Sequence, residues 1–266
     1  MEHWMPARGK RHTWISSDRS NINGLISVNG GAAPVAWHVD YLLVDDEEIC
    51  TELLDAASTA AAYVGIRRLF LKLDKMAELL GVVRRSGFVF YSTRHVYIYH
   101  GEPESRVASA QGNYGIRSRR NSDEHMLFEL YRSAVPQSIR IAEGLTREEW
   151  RGSQERGSLT QHEDEFVLTD REKVVGWLRV RTAGGTGCFH ITHASVNEQA
   201  LQSLVDYAVN QRLAGKSTIL CAIDAYQARL KSLLEGSDFE LVTEYTNAVK
   251  EIAIKVKEPQ FAPMRA

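Results

Sequence analysis

The sequence reads Ile22-Asn23-Gly24-Leu25-Ile26-Ser27-Val28 near its start and Val174-Val175-Gly176-Trp177-Leu178-Arg179-Val180 further along. Both stretches place a glycine inside a β-rich run, and the two glycines are 152 positions apart. Other matching residues lie 150 to 152 positions apart, and a variation of two positions is what single-residue insertions in loops produce. The chain is therefore predicted to contain two similar units. Further matches follow in order at shifts of 150 to 152: Trp37-His38 with Phe189-His190, Leu54-Asp55 with Val205-Asp206, Gly65 with Gly215, Asp74 with Asp224, and Gly87-Phe88 with Asp238-Phe239.

The second unit shows the order of elements most clearly. Apolar residues from Leu201 to Val209 recur at i, i+3, i+4, i+7 and i+8, which predicts a helix that ends near Gly215. A second helix is predicted from about Tyr226 to Leu234. The β-rich runs of this unit are Phe166–Leu168, Val174–Val180, Cys188–His193, Ser217–Ile223, Phe239–Thr243 and Val249–Val256.

The first unit repeats this order. Its helices are predicted around Leu53–Val64 and over Ala77–Arg85. Both units then read ββ-β-α-β-α-ββ, which predicts a mixed α/β fold with one twisted sheet flanked by helices. The predicted strands of this unit are Thr13–Ser16, Gly24–Val28, Ala36–Val44, Leu69–Leu73, Phe88–Tyr91 and His95–Tyr99.

The two units differ at their starts. Ahead of the second lie a short strand near Ile116, a helix opened by Ser122, and a capping box that starts at Thr146. The first unit has only a dozen residues ahead of its first strand, too few for such a β-α-α segment. We predict a first domain over 13–100, a linker over 101–113 that is rich in Gly, Ser, Glu and Pro, and a second domain over 114–257.

This order of elements resembles the GNAT superfamily of acyl-CoA-dependent N-acyltransferases, whose fold runs β-α-α-β-β-β-α-β-α-β-β. The resemblance covers nearly the whole second half, and all but the β-α-α segment of the first. It is carried by the strands with Gly24 and Gly176 and by Gly87-Phe88 and Asp238-Phe239, which are similar to the Gly-Phe pair that follows the fourth helix of the family. It implies two tandem GNAT-like folds, the first lacking the opening β-α-α segment.

The resemblance also implies a place for acetyl-CoA. In the family its pyrophosphate lies where the fourth strand meets the third helix, in a glycine-rich loop whose amides reach the phosphates. The equivalent segment of the second copy is Ala194-Ser195-Val196-Asn197, which has neither a glycine nor a cation. The first copy places Asp45-Asp46-Glu47-Glu48 there, and four carboxylates repel a phosphate. If acetyl-CoA binds, the resemblance places it at Ala194 to Asn197.

Candidate catalytic residues come from the same resemblance. The family often places a tyrosine general acid five residues before the phenylalanine of the Gly-Phe pair, where this chain has Val83 and Leu234. Tyr226 begins the same helix and is the candidate acid. His190 and His193 are candidate bases on the fourth strand of the second copy, because imidazole has a suitable pKa for accepting a proton. A structural role for these histidines is the alternative.

Composition narrows the class of protein. The formal net charge of -2 gives no global attraction to nucleic acid or anionic lipid, and no run approaches the length of a membrane span. The three cysteines form no CxxC pair, so neither a disulfide framework nor a metal site is expected. The polar, basic start of the chain is unlike a secretory signal, and we expect a cytoplasmic protein.

Three hypotheses remain open on the sequence alone. The first is an N-acetyltransferase that transfers an acyl group from acetyl-CoA to a small-molecule amine in its C-terminal copy. The second is a catalytically dead GNAT-like module that binds a ligand or a protein partner without CoA, as a monomer in which the two copies form an internal pseudo-dimer. The third, which the net charge disfavours, is nucleic-acid binding through Arg117–Arg120.

Overall fold

The structure is a computed structural model that describes residues 2–4, 11–18, 21–30, 35–75, 78–101, 114–154, 162–194 and 196–253. Within these residues, twelve strands form one continuous mixed sheet in the order β1-β2-β3-β4-β5-β12-β6-β11-β10-β9-β8-β7. The strands are β1 Glu2–Trp4, β2 Arg11–Asp18, β3 Asn21–Gly30, β4 Ala36–Val44, β5 Arg68–Asp74, β6 Val89–Tyr99, β7 Tyr114–Ser118, β8 His162–Asp170, β9 Lys173–Ala183, β10 Thr186–His193, β11 Thr218–Asp224 and β12 Phe239–Glu251.

Helices cover both faces of this sheet. One helix pair per copy packs on the first face, and three helices from the start of the second copy pack on the opposite face. A 3-10 turn precedes α3, and a π-helical stretch, Tyr207–Arg212, extends α6. The helices are α1 Glu47–Val64, α2 Leu80–Arg85, α3 Glu124–Ala134, α4 Gln137–Glu143, α5 Arg147–Ser153, α6 Glu198–Asp206 and α7 Ala228–Glu235.

The repeated glycines have the same structural role in both copies. A Cβ added to Gly24 on β3 would lie 2.5 Å from Cγ2 of Ile49 on α1. A Cβ added to Gly176 on β9 would lie 3.0 Å from Cδ1 of Leu204 on α6. Each glycine therefore lets the helix beside it, α1 in the first copy and the equivalent α6 in the second, pack directly onto the sheet. Gly65, with φ at 82°, is the C-cap of α1, and Gly215, with φ at 80°, lies just after the helical stretch that ends at Arg212, close to the predicted helix end.

The closing strands differ from the sequence prediction. Each copy was expected to end in two strands, but β6 and β12 each continue unbroken through the polar residues between them. Neither stretch contains a glycine or proline to form a tight turn, and both are rich in Thr and Tyr, which favour strands. The strand β12 instead has two bulges, one between Leu241 and Thr243 and one between Asn247 and Ala248.

These two long strands are exchanged between the copies. The strand β6 of the first copy pairs with β11 of the second, while β12 of the second pairs with β5 of the first. The exchange is visible in the cores as well. Tyr97 of β6 is fully buried in the core of the second copy, and Ala248 of β12 is fully buried in the core of the first. Neither core is complete without the other copy.

The start of the chain holds one further difference. A three-residue strand, Glu2–Trp4, pairs with β2, although the sequence predicted no strand there. Residues 5–10 alone separate the two strands, and no helix precedes β2 in the part of the chain that the structure describes. In the second copy the expected strand, helix and capping box are all present: β7 includes Ile116, and Thr146 caps α5 with Glu149 at the third position. The predicted linker lies outside the described residues except for Gly101.

Candidate functional site

A cavity of about 600 Å³ lies at the middle of the sheet, where the two copies meet. Strands of both copies form its floor, from β4 and β5 through β12, β6 and β11 to β10 and β9. Its roof is α3, α4 and α5. The helix α5 is tied to the first copy, because Nε2 of His38 donates to the carbonyl of Gly152 at 3.0 Å and Arg68 pairs with Glu149 at 3.3 Å. The cavity therefore depends on both copies.

A buried carboxylate lies at the centre of the floor. Asp224 ends β11, and its side chain is held from the neighbouring strand by Arg94, whose Nε and Nη2 donate to Oδ1 at 3.1 and 3.0 Å. Burial by itself would raise the pKa of Asp224, but the charge of Arg94 and the hydrogen bond from His190 hold it well below its usual range. Asp224 is therefore ionised near pH 7.

His190 connects this carboxylate to a second arginine. Its Nδ1 accepts a hydrogen bond from Nη2 of Arg179 at 3.3 Å, so the ring proton is on Nε2, which donates to Oδ2 of Asp224 at 3.2 Å. Burial lowers the pKa of His190 to about 4, and the charges of Arg179 and Arg94 add to this against the opposing hydrogen bond to Asp224. The imidazole is neutral near pH 7, and both of its nitrogens are engaged.

Arg179 is held by neutral groups. Its Nη1 donates to Oε1 of Gln154 at 2.9 Å, and its guanidinium lies 4.6 Å from the ring centroid of Trp177. Its Nε is buried and makes no hydrogen bond in the described part of the protein. Burial is the main cause that lowers the pKa of Arg179. A guanidinium still keeps its charge under such conditions.

The other predicted catalytic residues lie in different surroundings. Tyr226 lines the cavity, and its pKa is raised by burial and then by the charges of Asp224 and Glu143, so its hydroxyl stays protonated. His193 does not line the cavity. Its Nδ1 donates to the carbonyl of Ala194 at 2.7 Å, and burial lowers its pKa. The structure thus brings His190 and Tyr226 to one cavity and places His193 elsewhere.

The segment predicted to meet acetyl-CoA is occupied by its own hydrogen bonds. The amide of Ala194 donates to the carbonyl of Val175, and the amide of Val196 donates to that of Ala194. Oδ1 of Asn197 accepts from the amide of Ala200 and so caps α6. Ser195 lies outside the described residues. These contacts leave fewer amides for a phosphate than a glycine-rich loop would offer.

A glutamine closes the space between the strands beside this segment. The parallel pairing of β10 with β11 stops at His190 and Ala222. Just beyond it, Nε2 of Gln227 donates to the carbonyl of Ile191 at 2.6 Å, and its Oε1 accepts from the amide of Asp224 at 3.0 Å. Gln227 is 5% exposed. Its side chain therefore joins the two strands where their backbone hydrogen bonds end.

In the first copy the segment equivalent to Ala194–Asn197 is acidic, and its carboxylates already bind other groups of the protein. Oδ1 of Asp46 accepts from the amide of Ile49 and caps α1. Glu47 pairs with Arg85 on α2 at 2.5 Å. Carboxylates are favourable at a helix N-terminus, so these residues stabilise the start of α1.

The basic run Arg117–Arg120 is tied down by carboxylates. Arg117 donates to both oxygens of Asp123 at 2.6 and 2.7 Å, and Arg119 pairs with Glu165 at 3.1 Å. The acidic run His162–Glu165 lies inside β8 and supplies Glu165, the partner of Arg119. Within the described residues no grouping of three His, Cys, Asp or Glu side chains could hold a metal ion. No helix among them is long and apolar enough to cross a bilayer.

The sequence did not reveal the residues at the heart of the cavity. Arg94, Arg179, Gln154 and Gln227 carried no motif, and Asp224 was noted only as a match to Asp74 in the repeat. One signal was present for Arg94: a charged side chain in the middle of a β-rich run near the end of the first copy. Its ion pair with Asp224 explains why the strand tolerates it.

Several solved structures resemble the whole chain. A tandem GNAT protein from the clavulanic acid biosynthesis pathway, solved without AcCoA, matches with a TM-score of 0.55 and 14% identity over 95% of this chain and 86% of that one. A GCN5-related N-acetyltransferase from Sphaerobacter thermophilus matches with a TM-score of 0.59 and 12% identity over 96% and 84% of the two chains. Another from Kribbella flavida matches with a TM-score of 0.51 and 12% identity over 94% and 89%.

No protein-family model matches this chain, and no curated protein matches it. At identities of 12 to 14% the likeness concerns the fold. It agrees with the element order of each copy and with the repeat at about 150 residues. The chain therefore has the mixed α/β fold of the GCN5-related N-acetyltransferases, in two tandem copies.

Proposed function

We propose that this protein is a GNAT-fold binding protein that does not use acetyl-CoA and that holds a small molecule in the cavity between its two copies. Gln227 carries this proposal. In the GNAT fold the cofactor meets the backbone of the fourth strand, which is β10 in the second copy. Gln227 takes up the carbonyl of Ile191 on that strand and bridges to β11.

The chemistry of the cavity supports the same conclusion. A general base needs a nitrogen lone pair that is free to accept a proton from the substrate. Nδ1 of His190 already accepts from Arg179, and Nε2 carries a proton that is donated to Asp224. His190 thus acts as a positioning residue in the resting protein, and the cavity has the character of a binding site.

An N-acetyltransferase acting in the C-terminal copy is the second candidate. It is favoured by Tyr226, whose protonated hydroxyl lines the cavity as a general acid would. It is also favoured by the similar structures from Sphaerobacter thermophilus and Kribbella flavida, which are named GCN5-related N-acetyltransferases. In this alternative an amine is the acceptor, and acetyl-CoA enters beside Ala194, Val196 and Asn197. His193 is then a candidate base, because its Nε2 is buried and makes no hydrogen bond to the described residues.

Calorimetric titration with acetyl-CoA and with free CoA separates the two. We expect no heat of binding at about millimolar ligand, which corresponds to less than about 4 kcal/mol of binding free energy. The same titration on Gln227→Ala tests whether the side chain that bridges β10 and β11 prevents CoA from binding. Gln202→Ala on α6 is the matched control. Binding to the wild type tighter than about 100 μM, or release of CoA with any amine, would overturn the proposal.

A further inference from the structure

The cavity lining carries more positive than negative charge. Four cations and three carboxylates line it: Lys72, Arg94, Arg179, Arg181, Asp40, Glu143 and Asp224. Two of these charges are matched by residues outside the cavity, since Asp40 pairs with Arg11 at 2.7 Å and Arg181 pairs with Glu163 at 3.3 Å. Asp224 is matched by Arg94. The lining is left with an excess of one positive charge.

Arg179 contacts no carboxylate among the residues that the structure describes. Among the residues that the structure describes, its polar contacts are Gln154 and the neutral His190, and its flat face rests on the ring of Trp177. Glu165 is its cross-strand neighbour on β8, but that carboxylate pairs with Arg119. A charge removed from water without a counter-ion is costly, and an anion that enters the cavity would relieve this cost.

The same contacts make Arg179 a prepared anchor. Two of the five N–H donors of its guanidinium are fixed by Gln154 and His190, and His190 is in turn fixed by Asp224. Because the group is already oriented, a ligand would lose little freedom in binding it. A planar guanidinium matches a carboxylate in shape and offers it paired N–H donors.

We propose that Arg179 binds the carboxylate of a small organic acid in this cavity. The inference rests on the proposed function and names the class of ligand for that site. A single negative charge matches the single excess positive charge, whereas a phosphate dianion would also face Asp224 and Glu143. The rest of the lining suits an apolar or aromatic body: Phe70, Tyr91, Trp150, Trp177 and Tyr245. The protonated hydroxyl of Tyr226 adds one hydrogen-bond donor.

The test is a titration of the full-length protein at about pH 7.5 with benzoate, phenylacetate and hexanoate, each beside its neutral amide, and with inorganic phosphate. The readouts are calorimetric heat and the shift in melting temperature. We expect at least one carboxylate to bind with a Kd below about 1 mM and its amide to bind at least about tenfold more weakly. The amides test the charge without changing the protein, so the result does not depend on a variant that folds.

Three variants locate the site. Arg179→Met should weaken carboxylate binding about tenfold or more, and Arg179→Lys, which keeps the charge but loses the planar fork, should weaken it by less. Arg132→Met removes an exposed arginine on α3 and should leave binding unchanged. The proposal is overturned if no carboxylate binds, if amides bind equally, if phosphate alone binds, or if Arg179→Met binds as the wild type does. A protein that takes neither acetyl-CoA nor these acids would refute this inference and leave the absence of CoA chemistry standing.

Discussion

Acidification should destabilise this protein through His190, whose imidazole is held neutral between Arg179 and Asp224. The pKa of His190 is lowered by burial to about 4 in the folded protein. In the unfolded chain a histidine titrates near about 6.5, so the unfolded state takes up a proton first as the pH falls. The contribution of His190 to stability is therefore fully present above about pH 6.5 and is lost progressively down to about pH 4.

The size of the effect follows from these two pKa values. Lowering the pH from about 7.5 to about 5 should remove about 2 kcal/mol of unfolding free energy through His190 alone. The pKa of Asp224 is lowered as well, and its contribution to stability is present above the unfolded pKa of an aspartate, about 3.9, and is lost as the pH falls further. The two groups therefore act in separate pH windows. His193 and His95 also have lowered pKa values and add to the loss in the first window.

Urea unfolding at the two pH values measures this directly. His190→Gln can still donate to Asp224 but cannot ionise, so it should lose about 2 kcal/mol less than the wild type between the two pH values, although it starts from a lower stability. His100→Gln, which removes an exposed imidazole at the end of the first copy, is the control. If the wild type and His190→Gln lost the same unfolding free energy between the two pH values, His190 could not be a neutral imidazole with both nitrogens hydrogen-bonded.

Two other predictions concern packing and buried charge. Gly176→Ala and Gly24→Ala should each lower the unfolding free energy by about 1–3 kcal/mol in urea titrations, because the added methyl meets a helix that packs on the sheet. Gly115→Ala is the control and should change the unfolding free energy little, because its Cβ would lie 3.4 Å from the hydroxyl of Thr169. Asp123→Asn should cost about 1–3 kcal/mol by the same measurement, since an amide cannot accept from Arg117 at both of its positions as the carboxylate does. Equal stability of Gly176→Ala and Gly115→Ala, or an unchanged Asp123→Asn, would contradict these explanations.

The repeat was the part of the fold that the sequence could reveal. Gly24 and Gly176 stand at equivalent positions because both must admit a helix close to the sheet, and a requirement of that kind leaves a residue that can be recognised. Helix ends at Gly65 and Gly215 left a similar mark through their positive φ. Where one residue type alone satisfies the local geometry, the sequence predicts the structure.

The cavity left no such mark. Arg94 and Asp224 are 130 positions apart and meet only because β6 crosses into the second copy. Local periodicity describes a strand and its faces but does not say which strand lies beside it. The sequence therefore predicts a break between two strands at the polar middle of β6, whereas this stretch belongs to one continuous strand and lines the cavity.

The exchange of strands links the fold to the site. If each copy kept its own closing strand, Arg94 would stay with the first copy and Asp224 would be buried without its main counter-charge, which is the more costly arrangement. With the strands exchanged, Arg94 neutralises Asp224, and Asp224 fixes the neutral tautomer of His190. In this tautomer Nδ1 of His190 accepts a hydrogen bond from Arg179 but carries no charge, so the positive charge of Arg179 stays unmatched. The unpaired cation at the floor of the cavity is thus a consequence of how the two copies are joined, which neither copy could supply alone.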